Sequence, residues 1–392
     1  MNNPKFKIQL ANSKICTGCT ACKAVCPMNC ISMQEDKEGF IQPHIDEKTC
    51  IKCHKCEKTC PILKDSRENN QELTYAYAVI NNNEEIRRES SSGGVFYEIA
   101  EYVINEGGVV FGARWNEKWD VVHDYTETID GIKPFMQSKY VQSYIGETFR
   151  KAKEFLDANR LVLFSGTPCQ LGGLRALLGK PYNNLIQVDL VCHGVPSPGV
   201  WRKYLNSKFS NEHIVSISFR DKQDGWMGFQ CVTTTTTTTA YRDEQKVNPY
   251  FRGFVNNVYL RKSCYNCHYK QFNRDTDITL ADYWGVHLFA PDMHDNKGTS
   301  LILVHNKKSA ELLDKITSKF TIKVQSKENA VAWNHAMISS VPLIPKRKYF
   351  FKNFHKSWEE LIEYIDKDRI HVRILRKLKK ILPYLQIANL LL

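Results

Sequence analysis

Two cysteine-rich runs near the N-terminus constrain the fold of this chain more than any other feature. Residues 16–27 read CTGCTACKAVCP and residues 50–61 read CIKCHKCEKTCP, so both runs have the spacing C-x2-C-x2-C-x3-C-P. Each cysteine of the second run lies 34 residues after its counterpart in the first. Two-residue gaps let three thiolates of one run converge while backbone N–H groups point at the sulfurs, so the pattern predicts metal binding.

This repeated spacing is that of a bacterial-type ferredoxin with two 4Fe-4S clusters, in which the fourth cysteine of each run binds the other cluster. The predicted ligands of the first cluster are Cys16, Cys19, Cys22 and Cys60. Those of the second are Cys50, Cys53, Cys56 and Cys26. Zinc knuckles or a disulfide framework are the competing interpretations, and the two matching runs disfavour both. Cys30 and Cys231 lie outside the patterns and are predicted to be structural.

Composition favours a reducing setting. Nine of the 14 cysteines lie between residues 16 and 60, and clustered cysteines of this kind indicate metal sites in a cytoplasmic protein. The first residues lack the apolar core of a signal peptide, and no run is long enough to span a membrane. The formal charge of +12 suits an acidic ligand, a phosphate-bearing cofactor, nucleic acid or an anionic membrane surface. No recognisable nucleic-acid-binding module accompanies it, so we expect no nucleic-acid partner.

Three regions follow from these patterns. We predict an α+β ferredoxin-like domain with two 4Fe-4S clusters over residues 1–64, and a polar segment over residues 62–73 leads out of it. An α/β domain with a mixed sheet is predicted over residues 74–345, because strands and helices alternate there. Residues 346–392 are predicted to form a basic C-terminal helical tail.

The strands and helices of the larger domain are read from hydrophobic periodicity. Strands are predicted at residues 75–80, 108–114, 119–125, 161–165, 185–191, 214–219, 229–241, 276–283 and 299–305. Helices are predicted at residues 92–106, 147–159, 169–178, 198–208, 309–318 and 357–367. The strand at 229–241 includes seven threonines, Thr233 to Thr239, and we expect it to be exposed.

Three turns between a strand and a helix share one chemical character. SSSGG at residues 90–94, SGTPCQ at 165–170 and CHGVPSPG at 192–199 offer small residues, hydroxyl groups and free amides. Such turns line the ligand crevice of an open α/β sheet, so they suit a phosphate-bearing cofactor. None has a GxGxxG or P-loop pattern, and taken singly each is compatible with an ordinary turn.

Four cysteines outside the N-terminal runs form a third candidate set. Cys169 and Cys192 lie on two of these turns, and CYNCHYK contributes Cys264 and Cys267 as a C-x2-C pair. Four thiols can hold one more 4Fe-4S cluster, although C-x2-C also occurs in zinc sites and redox-active dithiols. A helix N-terminus favours the thiolate of Cys169, which suits a nucleophile as well as a ligand. No base or orienting group for a nucleophile is evident in the sequence.

The chain resembles the beta subunit of coenzyme F420-reducing hydrogenase and its relatives among the coenzyme F420 dehydrogenases. The matching elements span roughly residues 14–290, beginning with the two ferredoxin runs. The others are SSGGVFYEIAEYVINEGGVVFGA, SKYVQS, VLFSGTPCQLGGLRALL, LIQVDLVCHGVPSPGVW and CYNCHYKQFNRDTDITLADYWG. The resemblance implies an iron–sulfur flavoprotein in which FAD exchanges a hydride with a deazaflavin coenzyme and passes single electrons to 4Fe-4S clusters.

The resemblance also implies site residues. Those that would surround FAD in the flavin-binding domain are Ser91, Ser92, Gly93, Gly94, Ser138, Lys139, Tyr140, Ser165, Gly166 and Thr167. Lys139 would balance a phosphate or flavin charge. The cluster next to the flavin would use Cys169, Cys192, Cys264 and Cys267. Asp277 and Asp282 match a family motif that also fits a purely structural role. The catalytic residues stay unassigned.

Two functions remain open, because relatives with this core differ in their substrates. The first is an FAD and iron–sulfur oxidoreductase that uses a coenzyme F420-like or another reduced cofactor. The second is an electron-relay subunit of a larger complex without a substrate of its own. In both cases a redox partner protein or a reduced small-molecule cofactor is expected. The basic amphipathic residues 368–392 suit peripheral contact with an anionic membrane, or packing against the protein or a partner subunit.

Overall fold

The computed structural model of the protein describes residues 8–64, 74–237, 240–244 and 246–366. The first of these segments, which we call the N-terminal region, contains two short helices and one antiparallel pair of strands. In chain order they are α1 (Ala21–Ala24), β1 (Ile31–Glu35), β2 (Ile41–Ile45) and α2 (Lys55–Lys58).

The repeat of the two cysteine runs is also visible in the backbone. Gly18 and Thr20 have left-handed φ angles of 71° and 64°, and their counterparts Lys52 and His54 have φ angles of 54° and 58°. Only glycine adopts this conformation without steric cost, so the other three residues are held in it by their surroundings. Both runs therefore curl around their cysteines in the same way.

The remaining strands form two sheets. They are β3 (Tyr75–Asn81), β4 (Val109–Trp115), β5 (Val121–Thr126), β6 (Val162–Ser165), β7 (Leu185–Leu190), β8 (Ile214–Asp221), β9 (Gln230–Thr235), β10 (Tyr241–Glu244), β11 (Ile278–Asp282), β12 (Ser300–Val304) and β13 (Phe320–Gln325). Eight of them form one sheet in the spatial order β13-β3-β12-β11-β7-β6-β4-β5. Its central strands β11, β7, β6 and β4 are parallel, whereas the outer strands pair antiparallel. The predicted α/β domain with a mixed sheet is thus confirmed.

Some helices cover the two faces of this sheet, and others pack against the smaller sheet of β8, β9 and β10. The helices are α3 (Glu84–Glu89), α4 (Val95–Asn105), α5 (Thr148–Asp157), α6 (Pro168–Leu178), α7 (Pro198–Phe209), α8 (Pro249–Val255), α9 (Val286–Phe289), α10 (Lys307–Ile316), α11 (Lys327–Ala332), α12 (Pro345–Lys352) and α13 (Trp358–Asp366). Side chains alternate along each strand. Val110 and Leu163 therefore pack with α4 and α10, while Phe111 and Phe164 pack with α5 and α6.

The prediction of a single strand at residues 229–241 is wrong. The chain forms β9, reverses direction and returns as β10, with Tyr241 paired to Thr233. The expected exposure of the threonine run is also wrong in part, because Thr233 and Thr235 are buried. Threonine suits a strand through its β-branched side chain, but a uniform run contains no signal for the position of a turn.

Buried arginines attach the N-terminal region to the larger domain. The Arg261 guanidinium donates to the carbonyl oxygens of Cys16 and Ile41 at 2.7 and 3.0 Å. Arg347 donates to the Glu38 carboxylate at 2.7 Å. Burial raises the pKa of Glu38, but Arg347 and Lys262 outweigh it and hold that pKa below its ordinary value. Loss of one partner would leave a buried charge unpaired, so this contact fixes the relative position of the two parts.

Two adjacent glycines of α6 allow a still closer approach. A Cβ atom on Gly173 would lie 2.9 Å from the sulfur of Cys19, and one on Gly172 would lie 2.3 Å from the hydroxyl oxygen of Tyr269. No real side chain tolerates such distances. The N-terminal region and the segment that follows Cys267 therefore both rest on bare backbone of α6, and we call this contact the diglycine seat (Gly172 and Gly173).

The described part of the C-terminal region packs on the protein. Trp358 of α13 contacts Tyr204 of α7 with a ring distance of 5.3 Å, and Leu361 is buried beside it. The basic residues 368–392 lie outside the described residues, so their predicted membrane contact stays a prediction. No helix in the described ranges is both long and apolar enough to cross a membrane.

We expect Gly173→Ala to destabilise the protein. Alanine is better than glycine in a helix by about 1 kcal/mol, but overpacking costs about 1–3 kcal/mol, so a net loss of up to about 2 kcal/mol follows. Urea denaturation under anaerobic conditions measures this loss. Gly228→Ala is the matched control, because there the added Cβ meets one backbone atom at 3.2 Å. A Gly173→Ala protein as stable as the wild type would contradict the close contact at the diglycine seat.

Candidate functional site

The thiols predicted for the first cluster lie close together. Burial is the main reason why the pKa of Cys19 is raised to about 11, and the neighbouring thiols of Cys16 and Cys60 raise it further. Burial and the same neighbours also raise the pKa of Cys22. The last cysteine of the second run is therefore beside the first three of the first run, as the crossed ligand pattern requires. Ligation by these thiols stays a prediction.

The thiols predicted for the second cluster line one small cavity. Its volume is about 20 Å³, and its wall includes Cys26, Cys50, Cys53 and Cys56. Cys30 lies in the same wall, with its sulfur 3.4 Å from that of Cys26. Burial raises the pKa of Cys30 to about 12, and the nearby thiol of Cys26 adds to this. Cys30 is thus a fifth thiol next to the predicted ligands, which the spacing of the two runs did not reveal.

The third set of thiols is also assembled. Burial raises the pKa of Cys169 well above its ordinary value, and Cys267, Cys192 and Cys264 are close enough to raise it further by repulsion. The segments that bring these thiols together are the first turn of α6, the turn after β7, and a 3-10 turn at Lys262–Asn266 with the residue that follows it. The three segments are far apart in sequence, and the parallel strands β6 and β7 place two of them at the same edge of the sheet.

The chemistry around the thiols fits iron–sulfur clusters. Backbone N–H groups of Gly18 and Val195 point at the sulfurs of Cys16 and Cys264 at 3.4 and 3.5 Å, and such bonds stabilise sulfur that carries negative charge. No three His, Cys, Asp or Glu side chains of the described segments are arranged to hold a metal ion. The thiols of each set are therefore neighbours without the geometry of metal coordination.

A large cavity opens at the same edge of the sheet. Its volume is about 680 Å³, within the usual range of about 300–1,000 Å³ for cofactor sites. Nine of the ten residues predicted to surround a cofactor line it: Ser91, Ser92, Gly94, Ser138, Lys139, Tyr140, Ser165, Gly166 and Thr167. The exception is Gly93, whose N–H group donates to the Ser300 hydroxyl at 2.9 Å. Cys192 of the third thiol set also lines the cavity.

The cavity wall carries a partly buried lysine, Lys139, without a carboxylate partner within 4.0 Å among the described residues. The Lys139 ammonium donates to the carbonyl oxygens of Met136 and Gln137 at 2.8 and 3.3 Å. Burial lowers the pKa of Lys139 to about 7. An anionic ligand would restore the charged form, so the wall is suited to a phosphate-bearing molecule.

Sequence reasoning missed two further residues of the wall. Arg220 is 1% exposed and donates to the Asp282 carboxylate at 2.8 and 3.1 Å and to the Ser91 carbonyl at 3.2 Å. His123 is buried, and its Nε2 lies 3.0 Å from the Ser165 carbonyl oxygen. Arg220 Nε and His123 Nδ1 are buried with no hydrogen-bond partner in the described structure. Neither residue belongs to a motif, which is why only the fold reveals them.

The two motif aspartates have different surroundings. Asp282 lines the cavity and pairs with Arg220. Asp277 accepts hydrogen bonds from the Gln187 N–H group and the Asn306 amide at 2.7 and 2.9 Å, so it joins neighbouring segments rather than facing the cavity. A purely structural role accounts for all of these Asp277 contacts.

Comparison with known proteins identifies two parts of the chain. Residues 15–62 match the 4Fe-4S dicluster domain family, and residues 159–330 match the family described as the C terminus of the coenzyme F420 hydrogenase/dehydrogenase beta subunit. No curated protein sequence matches the chain significantly. Among solved structures, one chain of the xenon-derivatised F420-reducing [NiFe] hydrogenase complex from Methanosarcina barkeri is similar, with 15% identity and a TM-score of 0.47 over 69% of this chain and 90% of that one. The chain therefore combines one segment that matches the 4Fe-4S dicluster domain with a second segment that matches the C terminus of the coenzyme F420 hydrogenase/dehydrogenase beta subunit.

Proposed function

We propose that this electron-transfer oxidoreductase is an iron–sulfur flavoprotein. In this proposal it binds FAD in the 680 Å³ cavity, exchanges hydride there with a coenzyme F420-like or another reduced cofactor, and moves single electrons through three 4Fe-4S clusters. The observation that carries the proposal is the position of Cys192, which lines the cavity and is also a member of the third thiol set. The family assignment supports redox chemistry, and the dicluster domain supports two of the three clusters.

The chain's own residues would bind and orient the flavin. The turn at Ser91–Gly94 and the turn at Ser165–Thr167 supply hydroxyl and N–H groups, and Lys139 supplies positive charge. The rings of Phe251 and Phe254 both pack against the ring of Tyr140, at 5.2 and 4.9 Å between centroids, and all three line the cavity. FAD accepts two electrons as hydride and can release them singly, which suits a neighbouring set of clusters.

The thiol sets lie in an order that supports a relay. Tyr269 is close enough to Cys169, Cys267 and Cys19 for these thiols to raise its pKa, although burial is the larger cause. At the diglycine seat, Cys19 of the first set packs on the same helix that carries Cys169 of the third. The second set lies next to the first in space, because α1, which carries Cys22, packs against α2, which carries Cys56. Electrons would thus pass from the cavity through the third and first sets to the second.

The test of this function is the cofactor content of the anaerobically purified protein. We expect flavin and about 12 iron atoms per chain, four for each of three clusters. Cys169→Ser removes a proposed ligand of the third cluster, so its iron content should fall to about eight atoms. Cys231→Ser, at a buried cysteine outside the three sets, serves as the control. A wild-type protein with about eight iron atoms and no flavin contradicts the proposal, as does undiminished iron in Cys169→Ser. Bound flavin that neither reduced coenzyme F420 nor NAD(P)H bleaches would instead favour the relay-subunit function.

The pH dependence of FAD binding tests the role of Lys139. The pKa of about 7 means that the side chain is cationic below pH 7 and neutral above it in the empty cavity. The phosphates of FAD keep their charge over this range, so we expect the affinity of flavin-free protein to fall by up to about tenfold per pH unit above 7. In Lys139→Gln the affinity should be lower at pH 6 and nearly independent of pH. Equal slopes in both proteins, measured by quenching of flavin fluorescence, would contradict this role.

A further inference from the structure

The three thiol sets differ in their access to solvent. Cys16 and Cys19 of the first set are buried against Arg261 and the diglycine seat. In the third set, Cys192 lines the large cavity, and none of the four thiols is exposed. In the second set, Cys53 is exposed, and it is the only exposed cysteine of the 14, all of which lie in the described part of the chain. The second set is therefore the point at which a cluster would come nearest to the protein surface.

The surface around the second set is apolar at its centre. Met28 and Ile51 line the same small cavity as the cysteines, yet their side chains are 47% and 60% exposed. A single layer of side chains therefore separates the predicted cluster from solvent. Exposed apolar side chains that lie together indicate a contact surface for another molecule.

Lysines lie close to these residues along the chain, and one of them, Lys55, lines the same small cavity. Lys48, Lys52, Lys55 and Lys58 are exposed and lie within two residues of Cys50, Cys53 or Cys56 along the chain. None has a carboxylate within 4.0 Å among the residues that the structure describes. Glu57, the acidic residue between two of them, is engaged by the His54 ring and the Gln9 N–H group. We call Met28, Ile51, Cys53 and these four lysines the port surface.

We propose that the port surface docks a small acidic protein that carries one electron at a time. An apolar centre with a charged rim suits a transient electron-transfer complex, which is small and is steered by charge complementarity. One electron passes between the partner's redox centre and the second cluster, so that one is oxidised as the other is reduced, with no bond made or broken. The inference rests on the proposed function, because it needs a cluster in the second set.

Stopped-flow mixing tests this proposal with a reduced plant-type [2Fe-2S] ferredoxin as the acidic probe and the oxidised, cluster-loaded protein as acceptor. We expect a rate constant that falls as ionic strength rises. Lys52→Glu and Lys55→Glu should each lower it about tenfold at low ionic strength, because they reverse the charge of the lysines that flank Cys53 and Cys56 along the chain. Lys58→Glu is a third variant, and it lies farther from Cys53 along the chain. It still tests docking if the first two variants lose the cluster.

Two controls separate docking from other effects. Lys307→Glu makes the same change in charge at a side chain that is 90% exposed on α10, and it should leave the rate unchanged. Reduction by the methyl viologen radical, a small cation, should not slow in any variant. Unchanged ferredoxin rates in all three port variants with full iron content would overturn the docking proposal alone. Wild-type protein without iron in the N-terminal region would overturn the proposed function, and the docking proposal with it.

Discussion

The contact between Cys19 and the bare backbone of Gly173 is the constraint on which the arrangement of this protein depends. It places the first set of thiols against the helix whose first turn carries Cys169, so two predicted clusters share one helix as support. The arginines that reach the N-terminal region from the larger domain hold this contact in place, chiefly Arg261 and Arg347. The domain junction is therefore part of the proposed electron path, and its spacing is set by the contact at Gly173 together with the bonds of the buried arginines.

Burial of so many thiols explains why the protein would need its metal. Burial raises the pKa of Cys19, Cys56 and Cys264, so each of these side chains is a neutral thiol at neutral pH when no metal is bound. Iron binds the thiolate, so cluster assembly must release protons, and its binding energy must exceed the cost of burying negative sulfur. The N–H groups that point at the sulfurs lower this cost. The N-terminal region has little hydrophobic core of its own and would gain much of its stability in this way.

Much of this arrangement could be predicted from the sequence, because the signals were local. Cysteine spacing predicted the two N-terminal sets, and the family resemblance implied the nine residues that line the cavity. The missing parts depend on contacts between distant segments. Arg220 comes from β8 and meets Asp282 of β11, and Tyr269 reaches Gly172 across a helix. The sequence analysis also missed the edge strand β13, although its apolar residues Phe320, Ile322 and Val324 alternate with polar residues as in an amphipathic strand.

The central claim is that three sets of four thiols hold three iron–sulfur clusters in one continuous path. The most direct test is an anomalous difference map, collected at the iron absorption edge from crystals grown without oxygen. Our account predicts three separate iron peaks, each surrounded by one thiol set, with the third beside the flavin cavity and nearest to the peak at Cys19. Two peaks confined to the N-terminal region, or a single metal ion at Cys169, Cys192, Cys264 and Cys267, would contradict it.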